Sequence, residues 1–130
     1  MEKKRLKTYK DLIAWQKSYN LCLKIYEAVK TFPRSDQYGL TDQIKRSALS
    51  IPSNIAEGYT RFSTQEYMRF LYIAYASLAE LETQLLLARD LKYFTSNIFT
   101  EIITLQAEVQ RIMYKLISSI KQKIQKPIPL

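Results

Sequence analysis

The sequence predicts an all-α protein, an antiparallel up-down-up-down four-helix bundle in a single domain over residues 1–130. Three observations predict it. Helix-forming residues dominate, and two glycines and four prolines in 130 residues leave too few turn residues for a sandwich or barrel of hairpins. Apolar residues recur three and four positions apart through successive long segments. The breaks between those segments are short, and short connections make consecutive helices antiparallel neighbours.

The first helix is expected over 9–31, after a basic N-terminal arm over 1–8. Leu12, Trp15, Tyr19, Cys22, Tyr26 and Val29 draw its apolar stripe, and Phe32-Pro33-Arg34-Ser35 ends it. Ser35 or Asp36 is placed to cap a second helix over 36–57, with Leu40, Ile44, Ala48, Ile51 and Ile55 as its stripe. Pro52 should bend this helix near Ala48 to Ser53, with Ser50 and Ser53 bonding to the freed carbonyls; Gly58 offers a left-handed stop.

Ser63-Thr64-Gln65-Glu66 reads as a capping box opening the third helix, 63–91, striped by Tyr67, Leu71, Ala74, Leu78, Leu81, Leu85 and Ala88. The fourth, 96–123, carries Ile98, Ile102, Leu105, Val109, Ile112 and Leu116, and Pro127 and Pro129 imply a loose tail over 124–130. Phe70, Tyr72, Ile73, Tyr75, Leu86, Leu87, Phe99, Ile103 and Ile117 widen the apolar face beyond what one bundle buries. That surplus favours a homo-oligomer over scattered exposed residues.

Composition excludes much chemistry. Without histidine there is no imidazole base, and one cysteine, Cys22, allows no intramolecular disulfide. No cofactor, metal site or catalytic residue is expected. Cys22 falls in an apolar stripe and reads as a small buried hydrophobe. No apolar run reaches bilayer-spanning length and no signal-peptide pattern follows the basic start, so a soluble cytoplasmic protein away from membranes is expected.

The formal charge of +8 is concentrated at the ends. Lys3, Lys4, Arg5, Lys7 and Lys10 face only Glu2, and Arg111, Lys115, Lys121, Lys123 and Lys126 crowd the other end. Charge alone leaves polyanion binding and a merely solubilising role both open.

The second helix also carries a polar stripe: Arg46, Ser50, Ser53 and Glu57, with Asn54 beside it. Ser77, Glu80 and Glu82 sit on the third helix, where either carboxylate is expected to meet Arg46 or Arg61 from a neighbouring helix or subunit and fix register. A catalytic carboxylate set of Glu57, Glu80 and Glu82 is the weaker alternative, lacking a histidine partner or metal-ligand set.

These residues carry a resemblance. Trp15, Ile25-Tyr26, Phe32-Pro33, Tyr38-Gly39-Leu40, Gln43-Ile44 with Arg46, the run Ser50 to Gly58, Arg61, Phe70-Leu71, Ile73-Ala74 and Ser77 to Thr83 resemble the four-helix-bundle proteins encoded in intervening sequences of bacterial 23S rRNA genes, over about residues 9–118. The resemblance implies a bundle assembled as a ring-shaped homopentamer, without enzymatic activity. It also implies kinship with accessory proteins of diversity-generating retroelements, whose basic surfaces bind nucleic acid and a reverse transcriptase. Ala76 stands where the family commonly has Gly, which should hold adjacent helices slightly apart, and Leu49 stands where Val or Ala is common.

The function expected is non-specific nucleic-acid binding, RNA or DNA, by a non-catalytic oligomer. Its candidate residues are Lys3, Lys4, Arg5, Lys7, Lys10, Lys121, Lys123 and Lys126, with phosphate rather than base edges as the target. In such a bundle the first helix's start and the fourth helix's end share one rim. Tyr9 is more simply packing than a base platform. The alternative is a protein-assembly module with no direct nucleic-acid role.

Overall fold

In the computed structural model, which describes residues 7–125, four α-helices follow one another. They are α1 (Ile13–Ala28), α2 (Leu40–Tyr59), α3 (Thr64–Asp90) and α4 (Ser96–Gln125). Each packs on two others: α1 on α2 and α4, and α3 on α2 and α4. Ion pairs Lys17–Glu108 and Lys24–Glu101 link α1 to α4, so the partner's number falls as the number along α1 rises. Ser50 meets Ser77, while Gly58 lies against Tyr67 and Phe70, so α2 and α3 run through their contacts in the same opposed order.

The first segment is not the single helix that 9–31 anticipates. Tyr9–Asp11 is a 3₁₀ turn closed by a capping box between Thr8 and Asp11. Leu12 is then extended, at φ −74° and ψ 129°, which seats its side chain in the core and restarts the chain as α1. Val29–Thr31 tightens into another 3₁₀ turn. The buried line of α1 is also rotated from the expected stripe. Leu21 and Ile25 are fully buried, whereas Tyr19 and Tyr26 are exposed and Trp15 half-buried, stacked on Tyr19 with ring centroids 4.9 Å apart. Two overlapping stripes fit this helix, and the aliphatic one takes the centre because it packs without a polar tip to satisfy.

α2 begins later than 36. Arg34–Asp36 forms a 3₁₀ turn, and the N-cap of α2 is Gly39, so neither Ser35 nor Asp36 caps it. Asp36 instead accepts a hydrogen bond from the Tyr93 hydroxyl, tying this connection to the α3–α4 turn. Phe32 reinforces the tie, packing edge-on to Tyr93 and Phe94 at 5.2 and 4.9 Å.

α2 runs through Pro52 and also through Gly58, which lies inside the helix with no positive φ. The Gly58 stop is therefore a misreading. A Cβ there would sit 2.7 Å from Phe70 Cβ and 3.1 Å from Tyr67 Cδ1, so glycine is what lets α3 approach.

Ser63 caps α3, its hydroxyl accepting from Glu66 N at 3.3 Å, but only this half of the expected box forms: no bond from Ser63 N to the Glu66 side chain is present among the described residues. α3 is closed by Lys92, two residues past its last helical residue and at φ 63°, with Lys92 N bonding Arg89 O and Tyr93 N bonding Ala88 O. This is the paired closure usually made with glycine.

The core runs from Leu12 to Ile117, with Ile44, Ile51, Ile55, Leu71, Leu78, Leu81, Leu85 and Val109 fully buried. On α4 the buried line is Ile102, Gln106, Val109, Met113 and Ile117, while Ile98 is exposed and Leu105, Ile112 and Leu116 are only half-buried. Ile117, counted above as surplus, is therefore core. A glutamine at position 106 hid the true stripe from a search for apolar spacing. Helix α4 extends through Gln125 where a loose tail was expected from 124. Residues 126–130 lie outside the described residues.

Candidate functional site

Two polar features stand out on this scaffold. The first is a hydrogen-bonded seam between α2 and α3. Asn54 Nδ2 donates to Ser50 O at 2.7 Å and to Ser50 Oγ at 2.9 Å. Ser50 Oγ and Ser77 Oγ are 2.8 Å apart, and Ser77 donates to Ile73 O at 3.0 Å. A hydroxyl has one proton. Ser77 commits its own to Ile73, so Ser50 is the donor between the serines. The chain of bonds has one direction, Asn54 to Ser50 to Ser77 to Ile73 O.

The rest of the anticipated network does not join this seam. Ser53 is exposed, and neither it nor Ser50 bonds to a carbonyl freed by Pro52; the Asn54 side chain bonds to Ser50 O instead. Arg46 pairs with Asp42 and Glu57 with Arg61, both at 2.9 Å and both one turn apart on the same stretch of chain. Arg61 also lies over the Phe70 ring, 4.9 Å from its centroid. Neither arginine meets Glu80 or Glu82, which make no ion pair among the described residues. The cause is reach: α2 supplies nearer carboxylates at helical spacing, and a one-turn pair forms without crossing a seam. Ala76 is exposed, so it does not separate helices within the chain.

Burial shifts several groups without activating any. It pushes the Cys22 thiol up, away from the thiolate that reactive chemistry requires. It pushes Tyr67 up to about 12, with Tyr59 adding to the shift. Gln106 is fully buried. Its Nε2 donates to Leu78 O at 3.1 Å and to Gln110 Oε1 at 3.4 Å, while its Oε1 has no partner among the described residues. This buried glutamine was not legible in the sequence. Among the described residues, no three Asp, Glu, Cys or His side chains gather as a metal set, and no helix is long and apolar enough to cross a membrane.

The second feature is cationic. Lys3, Lys4, Arg5 and Lys126 lie outside the described residues. Lys7 and Lys10 are exposed beside the first 3₁₀ turn. Lys121 and Lys123 are exposed on the last turns of α4. A cleft of about 350 Å³ is lined by Leu12, Ile13 and Ala14 from the start of α1 and by Ile112, Lys115, Leu116 and Ser119 of α4. The start of α1 thus lies beside the later part of α4. Tyr9 is half-buried, edge-on to Trp15 at 5.5 Å, as packing requires.

The ion pairs of the described chain use Lys17, Lys24, Lys30, Arg46, Arg61 and Arg89. Arg111, Lys115, Lys121 and Lys123 form none among the described residues.

These features define an all-α four-helix protein with a polar inter-helix seam and an excess of cations toward one end of α4. The sequence matches the model of the family described as "23S rRNA-intervening sequence protein" over residues 10–115, and the chain belongs to that family. Its fold is similar to the crystal structure of a protein of unknown function from the S23 ribosomal protein family of Bacteroides thetaiotaomicron VPI-5482. The TM-score is 0.76 at 25% identity, covering 84% of this chain and 98% of that one. None of the curated proteins compared matches the sequence.

Proposed function

We propose that this chain is a non-catalytic cytoplasmic protein that assembles with copies of itself and binds nucleic acid without reading its sequence. The carrying observation is the group of exposed cations on the later part of α4, Arg111, Lys115, Lys121 and Lys123, which no carboxylate of the described chain neutralises. Unpaired, exposed and of one sign, such a group is suited to phosphates, whose binding releases counterions.

The antiparallel up-down-up-down arrangement is supported by the opposed order of the α1/α4 ion pairs and of the α2/α3 contacts. In that arrangement Lys7 and Lys10 share a rim with Lys121 and Lys123. Self-association is supported by exposed apolar side chains. Tyr19, Leu23, Tyr26 and Leu49 border an almost wholly apolar groove of about 300 Å³ between α1 and α2, and Tyr72, Ile73 and Leu87 are exposed on α3. A ring of five, as the family resemblance implies, would repeat each cationic rim and turn weak single contacts into avid binding. That apolar groove equally favours the second reading, an assembly module with no nucleic-acid role.

The test pairs light scattering with electrophoretic retardation of RNA and DNA at low salt. The proposal expects an oligomeric mass unchanged by Lys121→Gln with Lys123→Gln, and retardation weakened by the same pair. An oligomer that retards neither RNA nor DNA establishes the assembly module instead.

A further inference from the structure

Resting on that nucleic-acid reading, we infer that the groove between α3 and α4 is a seat for an unstacked base and its phosphates, so that the preferred ligand is a single strand. The groove holds about 350 Å³ and is lined by Tyr75 of α3 and by Ala107, Gln110, Arg111, Tyr114 and Lys115 of α4. Ala107 keeps the α4 side shallow. Tyr114 is 62% exposed. Most aromatic rings of the described chain pair with each other or lie under cations, as Tyr9, Trp15, Phe32, Tyr67, Phe70 and Phe99 do; the exposed Tyr38, Phe62 and Tyr72 have no such partner, but none of them lines this cationic groove. Tyr114 likewise has neither kind of partner among the described residues, so its exposed ring is open for stacking, whereas Tyr75 is half-buried against the core and forms the groove's wall.

Arg111 and Lys115 are one turn apart, about 6 Å along the axis, and repel each other with no carboxylate between them. An anion seated there relieves that repulsion. Gln110 supplies a third element. Its Oε1 is engaged by Gln106, which is itself anchored to Leu78 O in the core, and its Nε2 has no partner among the described residues. A core tether therefore presents a free amide donor to the groove, where a base edge or phosphate can accept from it.

Two other grooves of the described residues do not join these elements. The one at the α3–α4 turn also contains Arg89, Phe94 and Phe99, but Arg89 already pairs with Asp90 and covers Phe99. The α1/α2 groove has no cation in its lining. An acidic peptide would use the cations but not the open Tyr114 ring, and a duplex keeps its bases stacked and offers that ring nothing.

The test is fluorescence anisotropy with a dye-labelled oligouridine strand and a dye-labelled RNA duplex, read across a salt series. Tyr114→Ala is expected to weaken single-strand binding about tenfold, to leave duplex binding unchanged, and to leave the salt slope unchanged. Tyr114→Phe keeps the ring and should restore wild-type binding. Arg111→Gln with Lys115→Gln should instead reduce the single-strand salt slope by about 1.4.

A wild-type protein that binds both ligands while Tyr114→Ala holds the single strand as tightly overturns the groove and leaves the nucleic-acid reading standing. Displacement of the strand by oligoglutamate, equally effective against wild type and Tyr114→Ala, also overturns it, in favour of an acidic protein partner. Wild type that binds neither strand nor duplex at low salt removes the reading on which the groove depends.

Discussion

Between α2 and α3 the side chains that allow close approach are small: Ser50 and Ser77, with hydroxyls near enough to bond each other, and Gly58, which lies against Phe70 and Tyr67. Between α1 and α4 the paired side chains are long. Lys17 reaches Glu108 at 3.1 Å and Lys24 reaches Glu101, with all four side chains more than a third exposed. Both seams join helices of one bundle, yet only the first depends on backbone proximity. Small residues let two helices close until a single methyl group becomes an obstruction. Long ion pairs tolerate displacement and sit in water that screens them. Specificity of helix pairing therefore belongs to α2/α3, while α1 and α4 contribute Ile25, Ile102 and Val109 to the shared buried core.

That contrast can be broken most forcefully at Gly58. Gly58→Val should cost about 2–3 kcal/mol, because Phe70 Cβ and the Tyr67 backbone are not flexible ends that can swing aside. Gly58→Ala should cost less, since alanine regains about 1 kcal/mol of helix propensity. Urea unfolding measures both; a Val variant as stable as wild type would mean that α3 is free to back away.

Next in size is the serine pair. Ser50→Ala and Ser77→Ala should each cost about 1 kcal/mol, and the double variant less than their sum, because they share one bond. Strict additivity in that cycle would contradict the directed chain of hydrogen bonds.

The smallest effect belongs to the other seam. Lys24→Ala should change stability by less than about 0.5 kcal/mol, and by less still in high salt. A larger loss, insensitive to salt, would erase the distinction between the two seams.

Four helices were legible because their signals are local. Ser63 and Glu66 sit three apart at the start of α3, and its stripe from Leu71 to Ala88 repeats with hardly a fault. What escaped was set by partners distant in sequence. Gly58 looks like a stop when only its own helix is considered; Phe70 and Tyr67 make it a packing residue. Gln106 reads as surface because its type is polar, and only the Leu78 carbonyl explains its burial.

The expected pairing of Arg46 or Arg61 with Glu80 or Glu82 failed in the same way. Arg46 and Arg61 had carboxylates available one turn away, and local geometry won. At the candidate site the cationic residues of α4 were visible as a charge cluster. The openness of Tyr114 was not, since whether a ring is already paired depends on which helices surround it.

The central claim is that the unneutralised cations of α4 bind phosphate. It is tested most directly by the slope of log affinity against log salt for single-stranded RNA, compared between wild type and Arg111→Gln/Lys115→Gln/Lys121→Gln/Lys123→Gln. Four lost phosphate contacts should flatten the slope by about 2.8, with the helical content unchanged. Equal slopes for the two proteins would contradict the claim.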